Sequence, residues 1–122
     1  MVKKGTTLVI GASENPERYA YKAITSLRSK DYPVYALGRK KGRVAGVPIA
    51  TTPEEWGHID TVSLYIGPQH QASFCAYMTT LKPRRVIFNP GTENDDFERA
   101  LQQQGISTER ACTLVLLSTN QY

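Results

Sequence analysis

The sequence predicts a doubly wound α/β domain, three layers thick, on a mainly parallel sheet of about five strands. Short apolar runs alternate strictly with stretches of helical periodicity. Strands joined by helices must run parallel, with right-handed crossovers that cover both faces of the sheet. Length bounds the prediction: 122 residues, 40% of them apolar, can bury one core and leave little room for another, so residues 1–122 read as one domain.

Each element has its own warrant. TTLVIGA (6–12) reads as a buried strand. Residues 16–29 read as a helix, with Pro16 suited to the first turn and Ala20, Ala23, Ile24 and Leu27 on one face. PVYAL (33–37) is a second strand. TTPEEW (51–56) matches a short helix, with Thr52 as N-cap, Pro53 as first helical residue and Glu55 as capping-box partner. DTVSLYI (60–66) is a third strand, and residues 69–81 form a helix with Phe74, Cys75, Met78 and Leu81 on its inner side. RVIF (85–88) is a fourth strand. TENDDFERALQQQG (92–105) is a helix capped by Thr92 or Asn94, with Phe97, Ala100 and Leu101 inward and Gly105 closing it. GIS (105–107) and CTLVLLS (112–118) supply a last strand or two. Ligands of such sheets bind at the carboxyl ends of the strands, near the point where strand order reverses.

The net charge of +4 is unevenly placed. Residues 1–50 carry ten Lys/Arg against three acids, whereas residues 51–122 carry five against eight. A basic half points to an anionic partner, either nucleic acid or a phosphorylated small molecule. Cys75 and Cys112 make neither a C-x-x-C pair nor a zinc spacing, which fits a reducing, cytoplasmic setting. No apolar run approaches a membrane span, and the run after Lys3-Lys4 is too short for a signal peptide. His58 and His70 stand apart from any ligand cluster, so no metal site is expected.

Two turns carry the chemistry. In GASENPER (11–18), Gly11 permits close backbone approach, Ser13 offers a hydroxyl, and Arg18 adds a charged planar fork beside the open N–H groups of a helix start. The same residues also suit a plain strand-to-helix turn, with Ser13 or Asn15 as cap and Arg18 on the surface. The second turn, GRKKGR (38–43), lies where a dinucleotide-binding domain usually places an acid for the ribose hydroxyls. No acid occurs between Asp31 and Glu54; Arg39, Lys40, Lys41 and Arg43 stand there instead. That suits a ribose carrying a phosphate, as in NADP or coenzyme A. A solvated basic loop is the alternative reading.

On these residues the chain resembles the small stand-alone CoA-binding proteins of Rossmann type, similar to the CoA-binding domain of the succinyl-CoA synthetase alpha subunit. The resemblance covers nearly the whole chain. It rests on VIGASENPERYAYKAI (9–24), VYALGRKKGRVAGVPI (34–49), IDTVSLYIGPQHQ (59–71), FNPGTEND (88–95) and ACTLVLLS (111–118). It implies a module that binds coenzyme A or an acyl-CoA with no chemistry of its own. Gly11, Ala12 and Ser13 would line the phosphate turn, beside Arg18 and Tyr19. Gly38, Arg39 and Lys40 would meet the adenosine end. Ile66, Gly67 and Pro68 would border the adenine or pantetheine path, and Asn89, Pro90, Gly91 and Thr92 would close the crevice. Two positions depart from the family pattern: Gly38-Arg39 replaces an Asn-Pro, and Gly67 replaces an arginine. Gly67 is the best support for an interaction protein that keeps the fold without the ligand. An NADP-binding or redox-sensing module shares the same two turns.

Cys112 opens an apolar run and reads as a small buried hydrophobe. The tyrosines near the crevice side, Tyr19, Tyr21, Tyr32, Tyr35 and Tyr65, mostly cover helix–sheet seams, and one could stack on a base. Nucleic acid ranks below a small nucleotide, because the basic residues concentrate on one loop. The apolar tail packs on the sheet edge or on a second copy in a homodimer.

Overall fold

The computed structural model describes residues 4–122. Among them, seven strands form one sheet in the order β3-β4-β2-β1-β5-β6-β7. The strands are β1 (Thr7–Ala12), β2 (Val34–Gly38), β3 (Gly42–Val44), β4 (Val47–Ala50), β5 (Thr61–Leu64), β6 (Arg85–Phe88) and β7 (Ser107–Arg110). The helices are α1 (Tyr19–Ser29), α2 (Cys75–Leu81), α3 (Asp95–Gln103) and α4 (Thr113–Ser118). Every ladder is parallel except that of β3 with β4. The fold is the α/β, mainly parallel, Rossmann-like architecture that the alternation predicts.

Two cores follow from the two faces. Val9, Ala36 and Ile49 pack against Ala20, Ile24 and Leu27 of α1 and Leu117 of α4. On the other face Leu8, Ile10, Val62, Leu64, Val86 and Phe88 meet Met78 of α2 and Phe97 and Leu101 of α3. Both faces of β1 are therefore sealed, which is why its sequence is continuously apolar and not alternating. Each fully buried Leu, Ile or Phe contributes about 1.5–3 kcal/mol.

Several expectations are corrected. The sheet gains two strands because β3 and β4 form a hairpin within the basic segment. Ala45 (φ 49°) and Gly46 (φ 81°) make its two-residue turn, whose positive dihedrals match the strand twist. Residues 51–56 form no helix. Tertiary contacts hold that segment instead: Trp56 stacks on Tyr35 at 5.4 Å, and Tyr77 donates to the Glu54 carbonyl at 2.7 Å. CTLVLLS is not a strand, since residues 113–118 are α4. In so apolar a run periodicity cannot separate helix from strand; here Thr113 and Leu117, one helical turn apart, face inward. The last strand is the more polar STER at 107–110.

Helix starts shift as well. α1 begins at Tyr19, so Pro16 lies in the preceding turn. The stretch before α2 is two short 3-10 turns, at Pro68–His70 and Ala72–Phe74. Cys75 thereby becomes the first residue of α2 and is exposed, not core. Cys112 is half-buried at the N-cap of α4. No helix among the described residues is long and apolar enough to cross a membrane.

Candidate functional site

The strand order reverses at β1: β2 lies on one side of it and β5 on the other. A crevice opens there, at the carboxyl ends of the strands. It is a cleft of about 1040 Å³, at the upper end of ligand-cleft sizes. Four segments line it: Gly11–Asn15 and Arg18–Ala20 between the end of β1 and the start of α1, Arg39–Lys41 after β2, Tyr65–Gly67 with His70 after β5, and Pro90–Thr92 after β6.

The loop after β1 is shaped by Gly11. Register slips between Ile10 and Ala12, leaving Gly11 outside the ladder to β2 with φ at 99°. A Cβ there would lie 3.0 Å from the Tyr65 backbone, so both its dihedral and the close approach of β5 call for glycine. The chain then folds through its own side chains. Ser13 Oγ accepts from Asn15 N at 3.1 Å, and Asn15 Oδ1 accepts from Glu17 N at 3.0 Å. These local bonds use the two expected capping residues before the helix starts. α1 therefore begins with Arg18 as N-cap, no side-chain cap bond and no acid in its first turn. Its positive end opens on the cleft, where Arg18, Tyr19 and Ala20 are lining residues. Tyr19 is 65% exposed, with the Lys22 ammonium 5.3 Å from its ring centroid.

Opposite lies a braced wall. Gln71 is fully buried. Its Nε2 donates to the carbonyls of Ile66 (3.0 Å) and Thr92 (2.8 Å), and its Oε1 accepts from Asn94 Nδ2 at 3.1 Å. One side chain thus ties the loops after β5 and β6 together. Asn89, just after β6, ties β5 to the start of α4, donating to Ser63 Oγ and the Leu64 carbonyl and accepting from Thr113 N. Tyr65 lines the cleft, while its hydroxyl is buried with no hydrogen-bond partner among the described residues. Burial pushes that phenol up to about 12, so it stays neutral at physiological pH.

Of the residues singled out from sequence, Gly11, Ala12, Ser13, Arg18, Tyr19, Arg39, Lys40, Lys41, Ile66, Gly67, Pro90, Gly91 and Thr92 come together on this cleft. Gly38, Arg43, Pro68 and Asn89 do not line it, and the Arg43 guanidinium donates to the Gly46 carbonyl at 3.2 Å instead. Gly38 serves strand packing, since a Cβ there would meet the Ala12 carbonyl oxygen at 2.4 Å. Pro68 opens the turn beyond Gly67, and Asn89 is spent on the bonds above. The cleft also takes in Glu14, Asn15, Tyr65 and His70. Lys41 and His70 lie within stretches already marked in the sequence, whereas Glu14 and the Gln71 brace depend on long-range contacts with no local signal.

Arg18, Arg39, Lys40 and Lys41 face this cleft, with Glu14 as the one carboxylate among its described lining residues. Open helix N–H groups, a glycine turn and an arginine–lysine strip are donors suited to a ligand with separated phosphates. Fold and cleft together define a Rossmann-like α/β domain with an anion-suited crevice at its switch point. The chain belongs to the CoA binding domain family, whose model matches residues 5–118.

The solved structures share the fold. An uncharacterized protein is 44% identical, with a TM-score of 0.95 over 99% of this chain and 100% of that one. A protein from Thermus thermophilus is 21% identical, with a TM-score of 0.85 over 98% of this chain and 91% of its own. The apo form of a dinucleotide-forming acetyl-coenzyme A synthetase from Ca. Korarchaeum cryptofilum shares the fold at 12% identity and a TM-score of 0.72; the match covers 85% of this chain and 25% of that one. No curated protein matches the sequence.

Proposed function

We propose that the cleft binds coenzyme A, free or acylated, as a module without chemistry of its own. The observation that carries this reading is the meeting, in one cleft, of the Gly11–Ser13 turn at the open end of α1 with the Arg39–Lys41 strip. The turn and helix end would hold the pyrophosphate, with Arg18 beside them. Arg39, Lys40 and Lys41 would hold the ribose 3′-phosphate. The pantetheine arm would run over Ile66 and Gly67 toward Pro90 and Gly91. Family membership favours this ligand over NADP, which also carries a ribose phosphate. A binding role fits the donor set: Ser13 Oγ is engaged by a backbone N–H, with no base bonded to it among the described residues.

Calorimetric titration with CoA, dephospho-CoA, NADP and NAD tests the reading. CoA should bind tightest. Arg39→Ala with Lys40→Ala should weaken CoA about tenfold, by loss of charge-assisted contacts, and leave dephospho-CoA within about twofold. Tighter binding of NADP would transfer the site to that cofactor. If none of the four ligands binds or raises the melting temperature, the reading fails.

A further inference from the structure

Glu14 lines the same cleft as Arg18, Arg39, Lys40 and Lys41. It lies in the phosphate turn, yet its side chain reaches the start of the hairpin, where Oε2 accepts from Arg43 N at 2.9 Å. The space it crosses is cleared by a glycine, since a Cβ on Gly42 would lie 2.3 Å from the Glu14 carboxyl carbon. The carboxylate is thus seated on a backbone N–H at the end of the basic strip. It forms no ion pair there, and neither do Arg18, Arg39, Lys40 or Lys41 among the described residues. The cations are left uncommitted while the acid occupies a backbone donor.

Stability does not account for this arrangement. Glu14 is exposed, and ordering a long side chain costs about what one exposed hydrogen bond returns. A carboxylate and a phosphate seek the same donors, and their charges repel within one site. Resting on the proposed CoA reading, we infer that Glu14 is a specificity-determining residue. It competes with the ribose phosphate for the Arg43 N–H and the adjoining basic strip, and so limits the preference for a ribose-phosphorylated nucleotide over its dephosphorylated form. Entry of the phosphate displaces the carboxylate from Arg43; a ligand without that phosphate leaves it seated.

The test compares wild type, Glu14→Gln and Glu14→Ala by calorimetry with CoA and dephospho-CoA, and by melting temperature in inorganic phosphate, at one ionic strength. Glutamine can still accept from Arg43 N, so it removes charge and keeps the tether. It should tighten CoA by roughly fivefold and dephospho-CoA by less than about twofold, and the gain should shrink as salt screens it. Alanine should also widen the CoA to dephospho-CoA ratio. An unchanged ratio in Glu14→Gln, or weaker CoA binding, overturns the inference. If wild type binds neither nucleotide, the CoA reading has failed by itself. The phosphate melts then decide: stabilisation of Glu14→Gln at lower phosphate than wild type sustains the competition, and identical curves overturn it.

Discussion

α1 and α3 both follow a parallel strand and both begin at the carboxyl edge of the sheet, but their first turns are opposites. α3 is closed: Asn94 Oδ1 accepts from Phe97 N, Glu98 Oε2 accepts from Asn94 N, and Asp95, Asp96 and Glu98 stand in its first turn. Arg110 then pairs with Glu98 at 2.8 Å. α1 is open: it has no side-chain cap, no first-turn acid and an arginine at the N-cap. Helix dipoles favour negative charge at this end, and a helix that stabilises itself takes it from its own side chains, as α3 does. α1 takes none from its own side chains, which leaves its positive end open on the cleft. On the proposed reading, the difference separates a helix start available to a ligand from one that is structural, and it divides the cleft into an open, basic side and a braced side.

The comparison can be broken by closing α1. Arg18→Asp supplies the missing cap and acid. It should stabilise the ligand-free protein by about 0.5–1 kcal/mol and weaken CoA by at least about tenfold, through loss of a charge-assisted donor and gain of a like charge. Thermal melts and calorimetry on one preparation read both effects; a variant that is stabilised and still binds CoA normally would remove α1 from the site. Opening α3 is the converse. Asn94→Ala should cost about 1 kcal/mol of stability in denaturant titration. It also removes a bond to Gln71, so CoA affinity should fall, by less than about threefold, since the other Gln71 bonds remain. A tenfold loss would show that the braced wall matters as much as the open one.

The smallest effect is expected at the far edge of the sheet. There the Arg84 guanidinium beside Asp60 holds its carboxyl below the usual carboxylate value. A depressed folded-state value contributes stability above the unfolded value, lost as pH falls through the folded one. Asp60→Asn should therefore lower stability at neutral pH by less than about 1 kcal/mol, as for a largely exposed pair, and flatten the acid limb of the melt below about pH 3.8. CoA affinity should not move.

Much of the cleft is legible in the sequence because its residues sit in fixed places relative to strand ends. Gly11, Ser13, Arg18, Arg39 and Lys40 all fall within a few residues of a strand's carboxyl end, and parallel topology brings such ends together. Asn89 and Gln71 defeat that reasoning. Both stand in the right loops, but what they do is set by partners more than twenty residues away or across two loops. Cys75 defeats it differently: its helix begins six residues later than the periodicity indicates, after two 3-10 turns, and the face it was assigned to moves with the start.

The sequence by itself determined the layer architecture, the parallel sheet and the two anion-suited turns, because apolar period, chain alternation and local turn chemistry are nearest-neighbour properties. Tertiary structure alone decided that residues 113–118 form a helix, that β4 pairs with β2, that Gln71 braces one wall, and that Glu14 crosses to Arg43. Each of those outcomes depends on a contact between segments distant in the chain, and its energy exists only once the sheet has brought them together.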